Sequence, residues 1–491
     1  MNKNFKWLFL VSLTFAACSS DDDTTTEEPV VIVSGEADFS KYIALGNSLT
    51  AGYGDNALYK RGQENSWPKL LSDQFALAGG GEFKIPYMND NIGGFLFGGA
   101  TNPSFGPRLY FNGSGPATLP GTPTTEATTV LTGPFNNMGV PGAKIFHLVT
   151  PNYGSAAGLS NGTANPYFVR FASSPSTTVI ADAEAQNATF FTLWIGNNDV
   201  LSYATSGGAG VNRTGNQNPA TYGTNDITDP TLFAGLYAQL LTRLTANGAK
   251  GAVSNIPDVT TVPYFTTVPY NPVPLDAATS AQLNAGYAAY NGGLQVALNA
   301  GAITADEAAR RRINFQAGNN AVVMVDEYLT NLSALGLPSY RHATAQDYLV
   351  LTSRNFIGTT VGGNPQAING VSVPLADQWV LSKNEAAEIE TASSQYNATI
   401  QALATQHNLA FVDARAILTK LKVSGIAYEN YVLKSDFVFG GAFSLDGVHP
   451  TGRGYALIAN EFAKAINAKY GSNLPGVKIS DYDIMRSAQL P

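Results

Sequence analysis

Tyr42-Ile43-Ala44-Leu45-Gly46-Asn47-Ser48-Leu49 is the stretch on which the reading of the fold turns. Four apolar residues run without polar alternation into a glycine and a short polar turn. That is the pattern of a strand buried on both faces, as in a parallel sheet, and not of a half-solvated hairpin. Four further short apolar runs have the same character, at residues 137–140, 189–195, 251–256 and 409–413. Between them lie patterns of helical period. Leu232, Leu236, Leu240, Leu241 and Leu244 share one face of a helix expected over 232–246. Ile389, Tyr396, Ile400 and Leu403 do so over 385–407, and Tyr455, Ile458, Phe462 and Ile466 over 451–470. Strands alternating with helices predict an α/β protein, a parallel sheet flanked by helices.

Three regions break the rhythm. Residues 78–135 are rich in Gly, Pro, Asn and Thr with scattered Phe and Tyr, and 202–230 and 258–380 continue in the same vein, the last with helices such as 277–298. Long irregular segments of this kind are lids, binding loops or disorder. They are read as loop and helical insertions into a single domain spanning 38–480, with 481–491 as a C-terminal tail.

The N-terminus is set apart from the fold. Lys3 and Lys6 precede an apolar run from Trp7 to Ala17, which is too short for a permanent membrane span and fits a cleaved signal peptide over 1–17. Small residues leading into Cys18 resemble a bacterial lipobox, in which Cys18 is acylated and becomes the mature N-terminus. Cys18 is the only cysteine, which excludes an internal disulfide framework and any multi-cysteine metal site. Residues 18–37, with Asp21-Asp22-Asp23 and Glu27-Glu28, read as an acidic solvated tether. Acidic residues behind a lipidated cysteine resemble a surface-export signal of some Gram-negative lipoproteins. The expected location is the cell envelope, lipid-anchored to the outer membrane on its periplasmic or outer side. With 28 basic against 36 acidic residues, a net charge of −8 and no basic run, the chain is a poor ligand for nucleic acid or for an anionic membrane surface.

Four strand ends or loops carry residues that can do chemistry, and in open parallel sheets ligands gather at the carboxyl ends of the strands. Ser48 lies at a strand-to-helix turn, where a hydroxyl is exposed near helix N–H groups. Asn137-Met138-Gly139-Val140-Pro141-Gly142-Ala143 places glycines where the backbone can turn and aim an N–H. Gly196-Asn197-Asn198-Asp199 offers side-chain amides after the run ending Trp194-Ile195. Asp446-Gly447-Val448-His449-Pro450 spaces a carboxylate and an imidazole three apart, close enough to meet on one turn. Taken singly, each is also an ordinary turn or helix cap. Of the four histidines, His342 and His407 lack such a context, and His147 follows an apolar pair as a core residue would.

Together and in this order, the four blocks resemble the Gly-Asp-Ser-Leu, or SGNH, hydrolase family over roughly residues 40–470. The resemblance implies a flavodoxin-like sheet and a serine hydrolase of carboxylic esters working through an acyl-enzyme. Ser48 would be the nucleophile, His449 the base and Asp446 its orienting partner. The Ser48 N–H, Gly142 and Asn198 would donate to the oxyanion. No metal or organic cofactor is implied. Asn47 stands where the family has Asp beside the nucleophile, so local hydrogen bonding is expected to differ. The expected substrates are small-molecule or lipid acyl esters, since Phe95-Leu96-Phe97 and Val262-Pro263-Tyr264-Phe265 are apolar segments expected to flank the site. An O-acetyl esterase of carbohydrate and a non-catalytic ligand-binding surface lipoprotein are the alternatives.

Overall fold

β1 (Tyr42–Gly46) lies between β2 (Asn137–Gly139) and β3 (Phe190–Trp194), and β4 (Lys250–Ser254) and β5 (Ala410–Val412) complete the sheet in the order β2-β1-β3-β4-β5. All four pairings are parallel. This is the flavodoxin-like arrangement, with its topological switch beside β1. The computed structural model describes residues 31–429, 431–484, 487–488 and 490. Every residue of β1 and β3 is buried, which explains why neither shows polar alternation.

Side chains alternate across the strands. Phe190 and Trp194 meet Phe75 and Trp67 of α2 (Trp67–Leu77) and Phe462 of α6 (Gly452–Tyr470). Trp67 and Phe462 stack at 4.2 Å, clamping α6 to α2. α4 (Pro230–Thr245) and α5 (Lys383–Gln406) pack on each other through Phe233 and Tyr396, stacked at 4.1 Å. The expected strands and helices differ from these only by one or two residues at their ends, where chains fray into turns.

Residues 258–380 are more ordered than an irregular insertion. They build a core of their own from Val268, Ile313, Phe315, Val323 and Val371, among others. Two antiparallel ladders frame it, Val273–Leu275 with Gly318–Asn320 and Val323–Val325 with Tyr340–His342. Buried Arg341 ties it together, with Asp347 held at 2.7 and 2.8 Å and Asp326 at 2.5 Å. The helix expected over 277–298 is two helices, Ala277–Gly286 and Ala288–Asn299. Tyr287 leaves helical geometry at the joint and buries its ring, with the hydroxyl donating to the Val371 carbonyl at 2.8 Å.

Both domain boundaries move outward. The polar composition predicts a tether reaching residue 37, yet Val33 N–H donates to Asn473 Oδ1 at 2.7 Å, Glu36 N–H donates to the Tyr470 carbonyl at 2.8 Å, and Ala37 is buried. From Ile32 the chain belongs to one compact unit. The tail beyond 480 is docked where it is described, Tyr482 accepting from Arg453 Nε at 2.7 Å and Ser487 from Arg108 Nη2 at 2.5 Å. The signal peptide over 1–17, Cys18 and the acidic residues through Glu28 lie outside the described residues.

Candidate active site

The register of the sheet brings three of the four blocks to one edge. Gly46 is level with Gly139 on one side and with Trp194 on the other. Ser48, Gly142 and Asn198 then follow two, three and four residues beyond that line, at the carboxyl ends of adjacent strands. α1 (Ser48–Ala51) begins on Ser48 itself, and Asn47 caps it by accepting from Leu49 N–H at 3.0 Å. β2 must pass very close to α1, because a Cβ on Gly139 would lie 2.3 Å from the Ala51 nitrogen, so only glycine fits. The Asn47 Nδ2 is buried with no hydrogen bond among the described residues.

The fourth block arrives from the far end of the chain. Phe443 bridges to Pro450 and Ser444 N–H donates to the His449 carbonyl at 2.7 Å, closing a loop over 443–450. Pro450 lies just ahead of the Thr451 cap of α6, two positions before the first helical residue, Gly452. Within that loop His449 Nδ1 meets Asp446 Oδ2 at 2.9 Å, and His449 Nε2 meets Ser48 Oγ at 2.9 Å. Asp446 Oδ1 accepts from the backbone of Val448 and of His449, both at 2.8 Å. Burial alone would raise this carboxyl, but the His449 imidazole beside it and the N–H groups of His449 and Asn56 outweigh that and hold it down at about 2. Asp446 therefore stays an acceptor, which keeps the proton on Nδ1 and leaves Nε2 free to accept from the serine.

Two further blocks lie at the adjacent strand ends. Gly142 sits at φ +81°, a conformation suited to glycine, and is exposed. Its N–H and that of Ser48 make no hydrogen bond among the described residues. Asn198, at the head of α3 (Asn198–Thr205), gives one amide hydrogen to the Ala143 carbonyl at 3.0 Å and keeps the second. Asp199 locks the same loop, accepting from Ile145 N–H at 3.0 Å and from the Thr228 hydroxyl at 2.6 Å, while burial pushes its carboxyl up to about 6. The β2 and β3 blocks thus form one braced unit. Asn197 is different, with both side-chain polar atoms buried and without a partner among the described residues.

Composition alone does not single out the segment 53–56, yet it touches both Asp446 and His449. The Tyr53 ring lies 4.6 Å from the His449 ring, and Asn56 N–H donates to Asp446 Oδ2 at 3.0 Å. Tyr53 also begins a row of aromatic rings leading away from His449 through Tyr167, Phe105 and Phe97, at centroid spacings of 6.5, 6.2 and 5.5 Å. Phe97 and Phe105 are half-buried, and Phe95 is wholly buried beneath them. On the other flank Tyr264 N–H donates to the Gly447 carbonyl at 2.9 Å. The remaining histidines serve local structure. His147 stacks on Tyr153 at 4.5 Å and burial lowers its pKa to about 3, His342 Nε2 accepts from Asn314 N–H at 3.1 Å, and His407 closes α5.

Among the described residues no cluster of three or more His, Cys, Asp or Glu side chains could hold a metal, and no helix is long and apolar enough to cross a membrane. No family model and no curated protein matches the chain. Among solved structures it is similar to the extracellular lipase from Streptomyces rimosus, at 11% identity and a TM-score of 0.27, over 87% of this chain and 98% of that one.

Proposed function

We propose that the protein hydrolyses carboxylic esters through an acyl-enzyme on Ser48. The observation that carries the reading is the unbroken hydrogen-bond chain from Ser48 Oγ through His449 to Asp446, with 2.9 Å at each link. His449 Nε2 takes the serine proton as Oγ attacks the ester carbonyl. The oxyanion so formed meets the free N–H groups of Ser48 and Gly142 and the second amide hydrogen of Asn198. Collapse expels the alkoxide, which takes the proton from His449. Water, deprotonated by the same imidazole, then attacks the acyl-enzyme, and Ser48 leaves with its proton restored. Asp446 holds the imidazole in the required tautomer and balances the imidazolium charge. A protein that only bound its ligand would have no need for a base, an orienting acid and three donors about one hydroxyl.

The favoured substrates are esters with an apolar acyl or alcohol part, because the aromatic row and Tyr264 border the triad. The N-terminal reading belongs to the same proposal, in which Cys18 anchors the enzyme in the cell envelope beside lipid esters. The test is turnover of nitrophenyl esters of increasing chain length, run beside acetylated xylan, with Ser48→Ala as control. Hydrolysis that rises with chain length and vanishes in Ser48→Ala is expected. Undiminished turnover in a folded Ser48→Ala protein would sink the mechanism. Preference for acetate with activity on xylan would move the substrate to carbohydrate esters.

A further inference from the structure

We infer that Asp55 is a positioning residue for the triad, holding from outside the loop that carries Asp446 and His449. The inference rests on reading those residues and Ser48 as a hydrolase site. Gly54 and Ala57 pair across a two-residue turn, N–H to carbonyl at 3.1 and 3.0 Å. Its central residues, Asp55 and Asn56, have φ of +52° and +64°. A turn with both central residues left-handed is strained for anything but Gly, Asn or Asp. Such strain persists only where the surroundings over-determine it.

The surroundings here are the catalytic loop. Asp55 N–H donates to Ser444 Oγ at 2.9 Å, and Asp55 Oδ1 accepts from Leu445 N–H at 3.0 Å. Oδ2 accepts from the Tyr59 hydroxyl at 2.9 Å, which fixes the rotamer that reaches Leu445. Asn56 N–H, aimed by the same turn, reaches the Asp446 oxygen that bonds the imidazole. Three consecutive residues, Ser444, Leu445 and Asp446, are therefore gripped by two consecutive ones. Ser444 N–H in turn holds the His449 carbonyl, so the grip extends to both ends of the Asp-x-x-His segment. On the far side Asp55 is buried, and its carbonyl accepts from Leu109 N–H at 2.7 Å, tying the turn to the first insertion. A small shift of this turn moves the acid and the base together relative to Ser48, and displacements of about 1 Å at a reacting group cost on the order of 100-fold in rate.

The experiment compares Asp55→Ala and Asp55→Asn in the full chain. Asparagine can still accept from Leu445 N–H with its oxygen and donate its amide to the Tyr59 oxygen, whereas alanine can do neither. Asp55→Ala is expected to lower kcat by roughly 10- to 100-fold with KM changed less than about twofold. Asp55→Asn should recover most of that loss. In a His449→Ala background Asp55→Ala should change residual turnover little, because there is no base left to position. Ser444→Ala, which removes the acceptor of Asp55 N–H, supplies a second test should Asp55→Ala fold poorly, with a smaller fall in kcat expected. Labelling of Ser48 by a fluorophosphonate separates the two failures. Active wild type that labels at Ser48 beside an Asp55→Ala protein of equal kcat overturns the positioning role alone. Wild type that neither labels nor turns over an ester overturns the hydrolase reading and this inference with it. An equal fractional loss with and without His449 would assign Asp55 to folding only.

Discussion

Replacing Asp446 with Asn tests the site most sharply, because it keeps the shape and reverses one hydrogen bond. Asp446 accepts four: Val448 N–H and His449 N–H at Oδ1, and His449 Nδ1 and Asn56 N–H at Oδ2. An asparagine oxygen at the Oδ1 position keeps the first pair, so the loop holds. Its amide nitrogen then faces two donors. The imidazole escapes by moving its proton to Nε2, which leaves a bare Nδ1 to accept from the amide and turns Nε2–H toward Ser48. The nucleophile now meets a donor where it needs a base. A wrong-tautomer histidine of this kind costs about 10⁴ in kcat, about 5.4 kcal/mol at 1.36 kcal/mol per decade. Stability should change far less. The unmatched donors are Asn56 N–H and the second amide hydrogen that faces it, beside an exposed residue open to water, so about 1 kcal/mol is at stake and Tm should fall by no more than a few degrees. Steady-state and burst kinetics on a nitrophenyl ester, beside thermal melting, supply both numbers. A loss under tenfold in a protein that melts normally would refute the orienting role of Asp446.

Asn198→Ala should lower kcat by about 100-fold or more, as for other oxyanion donors, measured on the same ester. Asn197→Ala should leave kcat within a few-fold and Tm unchanged or slightly higher, since it removes buried polar atoms that lack partners; the reverse order would mean the oxyanion donor has been assigned to the wrong residue. Burial, reinforced by the charges of Asp377 and Glu327, raises the Glu385 carboxyl to about 8, so its contribution to stability is present below about 4.5 and is lost as pH rises through 8. Glu385→Gln, which can still accept from Ser382 N–H at the head of α5, should therefore melt above wild type at pH 9 and level with it at pH 4; equal melting at both would remove the pH linkage. Cys18→Ser should release the protein from membranes on fractionation, and a variant that stays bound would place the anchor elsewhere.

The strands are legible because burial on both faces leaves no room for polar residues, and Ser48, Asp446 and His449, which the fold brings into one hydrogen-bond chain, stand out as candidates because few side chains can act as nucleophile, acid or base; the same scarcity makes Asn198 a candidate amide donor. Gly142 is visible for the complementary reason that its left-handed backbone suits no other residue as well. Asp55 and Asn56 stay hidden. An Asp-Asn pair is what any tight turn selects, and its special task lies in contacts 390 residues away in sequence. The inner core of 258–380 is hidden likewise, since its ladders are three residues long and too short to show a period. Val33 to Ala37 read as tether because their binding comes from backbone groups, one distant asparagine and one distant lysine, which composition does not report.

The hydrogen bond between Ser48 and His449 joins positions 401 residues apart. Closing a loop of that length costs about 5 kcal/mol in chain entropy, several times what one hydrogen bond returns. The contact therefore exists only because α6 is already seated, with Phe462 stacked on Trp67 and Tyr470 bonded to Gly251. During synthesis Ser48, Gly142 and Asn198 emerge long before His449, and all five strands can be complete before the Ser48–His449 contact can form. On the proposed mechanism, turnover would report in a single readout whether the last helix has docked.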